Sequence, residues 1–166
     1  MELPFEQLRD DILSTNNGHV YLTQQSTNVI SIIPSRVPLP TVHPCSEHIC
    51  SFCNDDVFKA AVARGDRTVA LQTPRGNIVI VPTAKHASLW DFARCASKED
   101  FKETMLHALR FRDVLFRARG IAYKLETHGH DVPHFHVRLM APSNPAMHAK
   151  TDGNNNIQRW RVPDLY

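Results

Sequence analysis

No apolar run in this chain of 166 residues approaches the length of a membrane span; the longest, such as Ile78 to Val81, are far shorter than the roughly 20 residues a transmembrane helix needs. The N-terminal stretch Met1-Glu2-Leu3-Pro4-Phe5-Glu6 is acidic and mixed, and lacks the basic-then-apolar order of a signal peptide. Neither sign of charge dominates, with 19 Lys and Arg against 17 Asp and Glu. The net charge is +2 with histidine neutral, and no clustered basic patch stands out, so nucleic acid is not an expected partner. There are no internal repeats. Cysteine is limited to Cys45, Cys50, Cys53 and Cys95. Without a secretory signal, the close Cys50/Cys53 pair reads as metal or redox chemistry rather than a structural disulfide. These absences lead to the expectation of an intracellular protein, cytoplasmic or nuclear, with no membrane partner. The remaining composition is ordinary for one globular domain, 42% apolar and 22% charged.

Local patterns divide the chain. Residues 4–14 have helical spacing at Phe5, Leu8, Ile12 and Leu13, with Pro4 suited to the first turn. Tyr21 to Thr23 and Asn28 to Ile33 read as strands. Pro34, Pro38, Pro40 and Pro44 then interrupt regular structure. Asp55 to Arg64 reads as a helix ended by Gly65. Thr68 to Leu71 and Asn77 to Val81 read as paired strands turned by Thr73-Pro74-Arg75-Gly76. A short helix is expected around Leu89-Trp90-Asp91, with Cys95 in the core. Ser97 caps a long helix that Gly120 ends. Its spacing places Phe101, Met105, Ala108, Leu109, Leu115 and Phe116 on an apolar stripe, with Arg112 at the exposed edge. Ile121 to Glu126 and Val132 to Met140 read as a hairpin. The tail from 141 to 166 reads as mostly irregular, with Trp160, Val162, Leu165 and Tyr166 docking at its end.

The most informative stretch is Val132-Pro133-His134-Phe135-His136-Val137-Arg138-Leu139-Met140. Strand alternation gives Phe135, Val137 and Leu139 to a core and leaves His134, His136 and Arg138 on one functional face. The plainer alternative is a half-exposed strand with two incidental histidines.

His134-Phe135-His136-Val137-Arg138-Leu139 resembles the signature of the histidine-triad (HIT) family, His-φ-His-φ-His-φ-φ with φ apolar, except that Arg138 replaces the third histidine. It is also similar to the galactose-1-phosphate uridylyltransferase branch, which likewise lacks that histidine. Cys50-Ser51-Phe52-Cys53 and Ile80-Val81-Pro82-Thr83-Ala84-Lys85-His86 resemble two further family motifs, in family order, so the resemblance covers about Cys50 to Met140. It implies an α+β fold, a five-stranded antiparallel sheet with one long helix, usually dimerised. Residues 1–45 would form an N-terminal extension, 50–140 the core and 141–166 the tail of a single domain.

The resemblance also implies a site. Zinc-carrying relatives suggest a structural zinc held by Cys50, Cys53, His86 and His134. Read from spacing alone, a local set of Cys45, His48, Cys50 and Cys53 competes with it, as does a pair of cysteines that are simply buried and bind no metal. The resemblance assigns His136 attack on the α-phosphate of a nucleotide or nucleotide conjugate, giving a nucleotidyl-histidine that passes to water or another acceptor: a nucleotidyl hydrolase or nucleotidyltransferase. Arg138 suits phosphate oxygens, or else is a solvated charge. It cannot donate a proton, so leaving groups that need little protonation are expected. His130, His128 and Gln72 are candidate substrate-binding residues; Gln72 falls near the position where many relatives carry a ribose-binding Asp. The rival reading is an inactive nucleotide-binding or protein-interaction module on the same fold.

Overall fold

The computed structural model describes residues 3–15, 20–26, 29–34, 50, 52–53, 61–73, 75–127, 134–141 and 158–161. The elements in chain order are α1 (Leu3–Ser14), β1 (Val20–Ser26), β2 (Val29–Pro34), β3 (Ala63–Arg64), β4 (Thr68–Gln72), β5 (Ile78–Pro82), α2 (Leu89–Cys95), α3 (Lys98–Arg119), β6 (Lys124–Glu126), β7 (Val137–Met140) and β8 (Gln158–Arg161). The fold is α+β, built on one antiparallel sheet with the strand order β3-β4-β5-β7-β6-β1-β2-β8. Among the described residues no helix is long and apolar enough to cross a membrane.

The sheet has eight strands, where the expectation was a five-stranded core with an N-terminal helix and strand extension. Residues 63–140 contribute five of them, and the hairpin β1–β2 joins through the pairing of Thr23 with Glu126. Thr127 strengthens that junction: its N–H donates to the Leu22 carbonyl at 3.0 Å, and its hydroxyl accepts from the Leu22 N–H at 2.7 Å. β8 then pairs along β2, so the tail expected to be irregular supplies a strand. Val162, Leu165 and Tyr166 lie outside the described residues.

One face of the sheet carries the main core. Leu22, Ile30, Ile32, Ala70, Ile78, Ile80, Leu125, Val137 and Leu139 meet Phe5, Leu8 and Ile12 of α1, Phe92 of α2 and Phe101, Met105, Ala108 and Leu109 of α3. Phe92 stacks against both Phe101 and Phe135, with centroids 5.8 and 4.6 Å away. The opposite face carries a smaller cluster, Val69, Leu71, Val79 and Val81, with Phe52 and Ala61 packed on it. Burial on both faces explains why β4 and β5 are continuous apolar runs.

α3 follows its caps. The Ser97 hydroxyl accepts from the Asp100 N–H, and Gly120 closes the helix in a left-handed conformation, φ 67°. Two expectations on this helix are corrected. Arg112 is buried rather than at an exposed edge, because the heptad-like series 101, 105, 108, 112 and 115 places it in the middle of the apolar stripe. Phe116 is 55% exposed, since residues 116–119, the last turn of α3, lie beyond the buried surface.

Other expectations are corrected nearby. Ala63 and Arg64 form a strand rather than the end of a helix, because the N–H groups of Val62 and Gly65 bond to the carbonyls of Ala70 and Thr68. Gly65 sits where a Cβ would lie 3.0 Å from the Thr68 hydroxyl and 3.1 Å from a Glu103 carboxylate oxygen, so the bare backbone permits the close approach. The rest of that expected helix, residues 55–60, is outside the described residues. Cys95 is exposed at the end of α2 rather than in the core; its thiol faces Asp91 at 3.8 Å.

Candidate metal centre and histidine face

β7 begins at Val137, later than the sequence suggests, because residues 134–136 follow the segment after β5. The Phe135 N–H donates to the His86 carbonyl at 2.6 Å, which seats the Phe135 ring in the core. His134 is completely buried. Its Nε2–H donates to the Pro82 carbonyl at 2.7 Å, the geometry that selects the tautomer with the lone pair on Nδ1. Nδ1 then faces the Cys53 Sγ at 3.3 Å and the Cys50 Sγ at 3.7 Å. Burial pushes the His134 imidazole below its ordinary range, Pro82 pulls the other way, and the nearby Lys85 and His86 charges lower it further.

Cys50, Cys53 and His134 therefore form a cluster able to hold a metal ion, their ligand atoms lying within 4.8 Å of one another. A soft S₂N donor set with a neutral, hydrogen-bonded imidazole fits a structural zinc site. His86, expected as a ligand, does not join that cluster. It lies beside it, with Nδ1 3.8 Å from Asp91 Oδ2 and its ring edge-on to Phe92. Cys45 and His48, the remaining members of the local rival set, lie outside the described residues, as do His128 and His130.

His136 is 2% exposed, and its Nδ1–H donates to the His134 carbonyl at 2.9 Å. That bond selects the tautomer with the lone pair on Nε2. The His136 ring packs edge-on to Phe52, with centroids 4.9 Å apart, and Phe52 belongs to the cluster on the face opposite the helices. Arg138 pairs across β5 with Val79, a member of the same cluster, so His136 and Arg138 share that face as expected from alternation. Gln72 pairs with Ile78 of the main core, so its register puts it on the helix-side face, exposed at the end of β4 and apart from Arg138.

Sequence reasoning did not find the other half of this face. Glu126 lies directly across β6 from Arg138, and Thr23 lies directly across β1 from Glu126, with Ser31 next on β2. Opposed residues in antiparallel strands point to the same side, so Val79, Arg138, Glu126, Thr23 and Ser31 form one row. Glu126, Thr23 and Ser31 are all buried, and the Ser31 hydroxyl has no hydrogen-bond partner among the described residues. Burial pushes the Glu126 carboxyl above the usual carboxylate range, while the Arg138 charge opposes the shift. An acid two residues before His128, in a histidine-rich stretch, was the available signal, but Lys124-Leu125-Glu126 alternates like any half-exposed strand. Comparison of the chain with models of known protein families, with curated proteins and with solved structures returned no match.

Proposed function

We propose that the protein is a nucleotidyl hydrolase or nucleotidyltransferase in which His136 Nε2 attacks the α-phosphate of a nucleotide conjugate. The observation that supports this most directly is the His136 tautomer: Nδ1–H is tied to the His134 carbonyl, so the nucleophilic lone pair is on Nε2, on the face that carries Arg138. As the phosphorus–nitrogen bond forms, the bond to the leaving group breaks, and Arg138 neutralises charge on the phosphoryl oxygens. Water or a second acceptor then takes the nucleotidyl group. The five strands from residues 63–140 and the His-φ-His-φ-Arg spacing agree with a histidine-triad arrangement. In this reading Cys50, Cys53 and His134 would hold a zinc ion, and His86, which lies beside the cluster, is the candidate for the fourth position. Such an ion would tie together the segments that aim His136, a structural role.

Incubation with α-³²P-labelled nucleoside triphosphates, dinucleoside polyphosphates and nucleotide sugars should leave an acid-labile label on His136. His136→Ala should abolish both label and turnover, a loss of several orders of magnitude. A rival reading, a nucleotide-binding module without turnover, draws on the 2% exposure of His136. Nucleotide binding without any covalent label would favour it.

A further inference from the structure

We infer that Glu126 is the proton donor of this site, occupying by cross-strand pairing the role that Arg138 cannot perform; the inference rests on the nucleotidyl-transfer reading above. Three observations place it there. Glu126 is opposite Arg138 in the β6–β7 register, so both side chains project from the same row of the face that carries His136. That row lies one pleat, about 7 Å, along the strand from His136. The carboxyl is also buried, 6% exposed, although a carboxyl is expensive to bury, and Arg138 is the charged residue opposite it in the ladder. Burial pushes this carboxyl toward its protonated form, the form a general acid requires, while the Arg138 charge opposes the shift.

The step balances. His136 Nε2 forms the bond to phosphorus, and the bonding pair between phosphorus and the leaving atom departs with that atom. The Glu126 O–H proton transfers to the leaving oxygen or nitrogen. In the second half, the Glu126 carboxylate takes a proton from the attacking water, whose oxygen bonds to phosphorus as the phosphorus–nitrogen bond breaks. The initial state is thereby restored. This changes the expectation drawn from Arg138 alone: with a carboxylic acid beside it, the site handles leaving groups that need protonation.

The test uses the full-length protein and two adenosine 5′-phosphate derivatives, the p-nitrophenyl ester, whose leaving group needs no proton, and the phosphoramidate, whose amine does. Glu126→Gln should lower kcat on the phosphoramidate by about 10²-fold or more, the usual size of a general-acid contribution, and lower it on the nitrophenyl ester by far less. Equal losses on both substrates, or no loss on either, would overturn the inference. A second measurement needs no variant: across a series of aryl esters, wild-type kcat/KM should depend only weakly on the acidity of the phenol. A steep dependence would mean that no proton is delivered, and would overturn the inference even if Glu126→Gln failed to fold. If wild type forms no nucleotidyl-histidine with any of these esters, the transfer reading itself fails and this inference with it. A label on His136 combined with a steep dependence would remove Glu126 alone.

Discussion

Arg112 is a charged residue at a core position of α3; among the described residues its guanidinium reaches Asp113 alone, at 3.0 and 3.3 Å, and one of its nitrogens is buried with no partner. Its aliphatic stem fills the stripe as a long apolar side chain would. Arg112→Met should therefore be close to neutral or stabilising, because it removes a desolvated N–H and keeps the volume, whereas Arg112→Ala should cost about 2 kcal/mol or more by leaving a cavity. Urea denaturation of the two variants checks this, and equal losses would mean that the charge itself is stabilising. His107 gives a prediction with a pH sign. Its ring accepts or donates at the Thr68 hydroxyl at 2.6 Å, and burial holds its imidazole below the ordinary value of 6.5, with the Glu103 charge opposing. The unfolded chain thus binds a proton at His107 more readily than the folded one. Its stabilising contribution is complete above about pH 6.5 and falls as the pH drops from there through the lower folded-state value. Thermal unfolding at pH 7.5 and 5.5 should show a smaller acid-induced fall in Tm for His107→Gln than for wild type. At this scale the Cys50, Cys53 and His134 cluster was legible because metal chemistry constrains residue type and spacing, and the shared face of His136 and Arg138 was legible from strand alternation. The placement of Glu126 was not, because it depends on which residue faces it across a ladder.

α3 is the element whose ends were most readable, because caps are local chemistry. The Ser97 hydroxyl bonds the Asp100 N–H at 3.0 Å and satisfies one of the orphan donors at the helix start. Ser97→Ala should cost about 1 kcal/mol, read as a lower urea midpoint with unchanged slope, while Ser97→Asp should recover most of it. Gly120 and the β4–β5 hairpin were readable for the same reason, since the Gly76 N–H closes its turn on the Thr73 carbonyl and Gly76 has φ 84°. β3 and β8 were not. Ala63 and Arg64 have good helix propensity, yet backbone pairing with β4 overrides it. β8 pairs with β2 across more than a hundred intervening residues, which no local pattern encodes. The later start of β7 has a third origin: the Phe135 N–H bonds to His86 outside the ladder, so alternation along residues 134–136 persists without strand pairing.

Across the whole molecule, the Cys50–Cys53–His134 cluster joins parts of the chain more than eighty residues apart, and the Nε2 bond to Pro82 adds the end of β5 to the same junction. Closing so large a loop costs entropy, and an ion that binds only the folded arrangement repays it through its binding free energy. The purified protein should accordingly contain about one zinc per chain by elemental analysis. Stripping it with a chelator at neutral pH should lower Tm, and returning zinc should raise Tm in proportion to the logarithm of the free ion concentration. Cys50→Ser should lose the metal and become insensitive to chelator, with a Tm near that of the stripped wild type. His86→Ala tests the fourth position: weakened zinc retention places His86 in the site, and unchanged retention leaves it to Asp91 and Phe92, which it already faces. A Tm unmoved by chelator in protein that also lacks zinc would leave the two thiols and the imidazole as a buried polar junction held by the Pro82 bond alone. The consequence should reach the histidine face, because the His136 Nδ1–H bonds to the backbone carbonyl of His134. Any loosening of His134 moves the acceptor that fixes the His136 tautomer. Chelated wild type should therefore show slower labelling of His136 even at temperatures where the chain is still folded, and zinc should restore the rate.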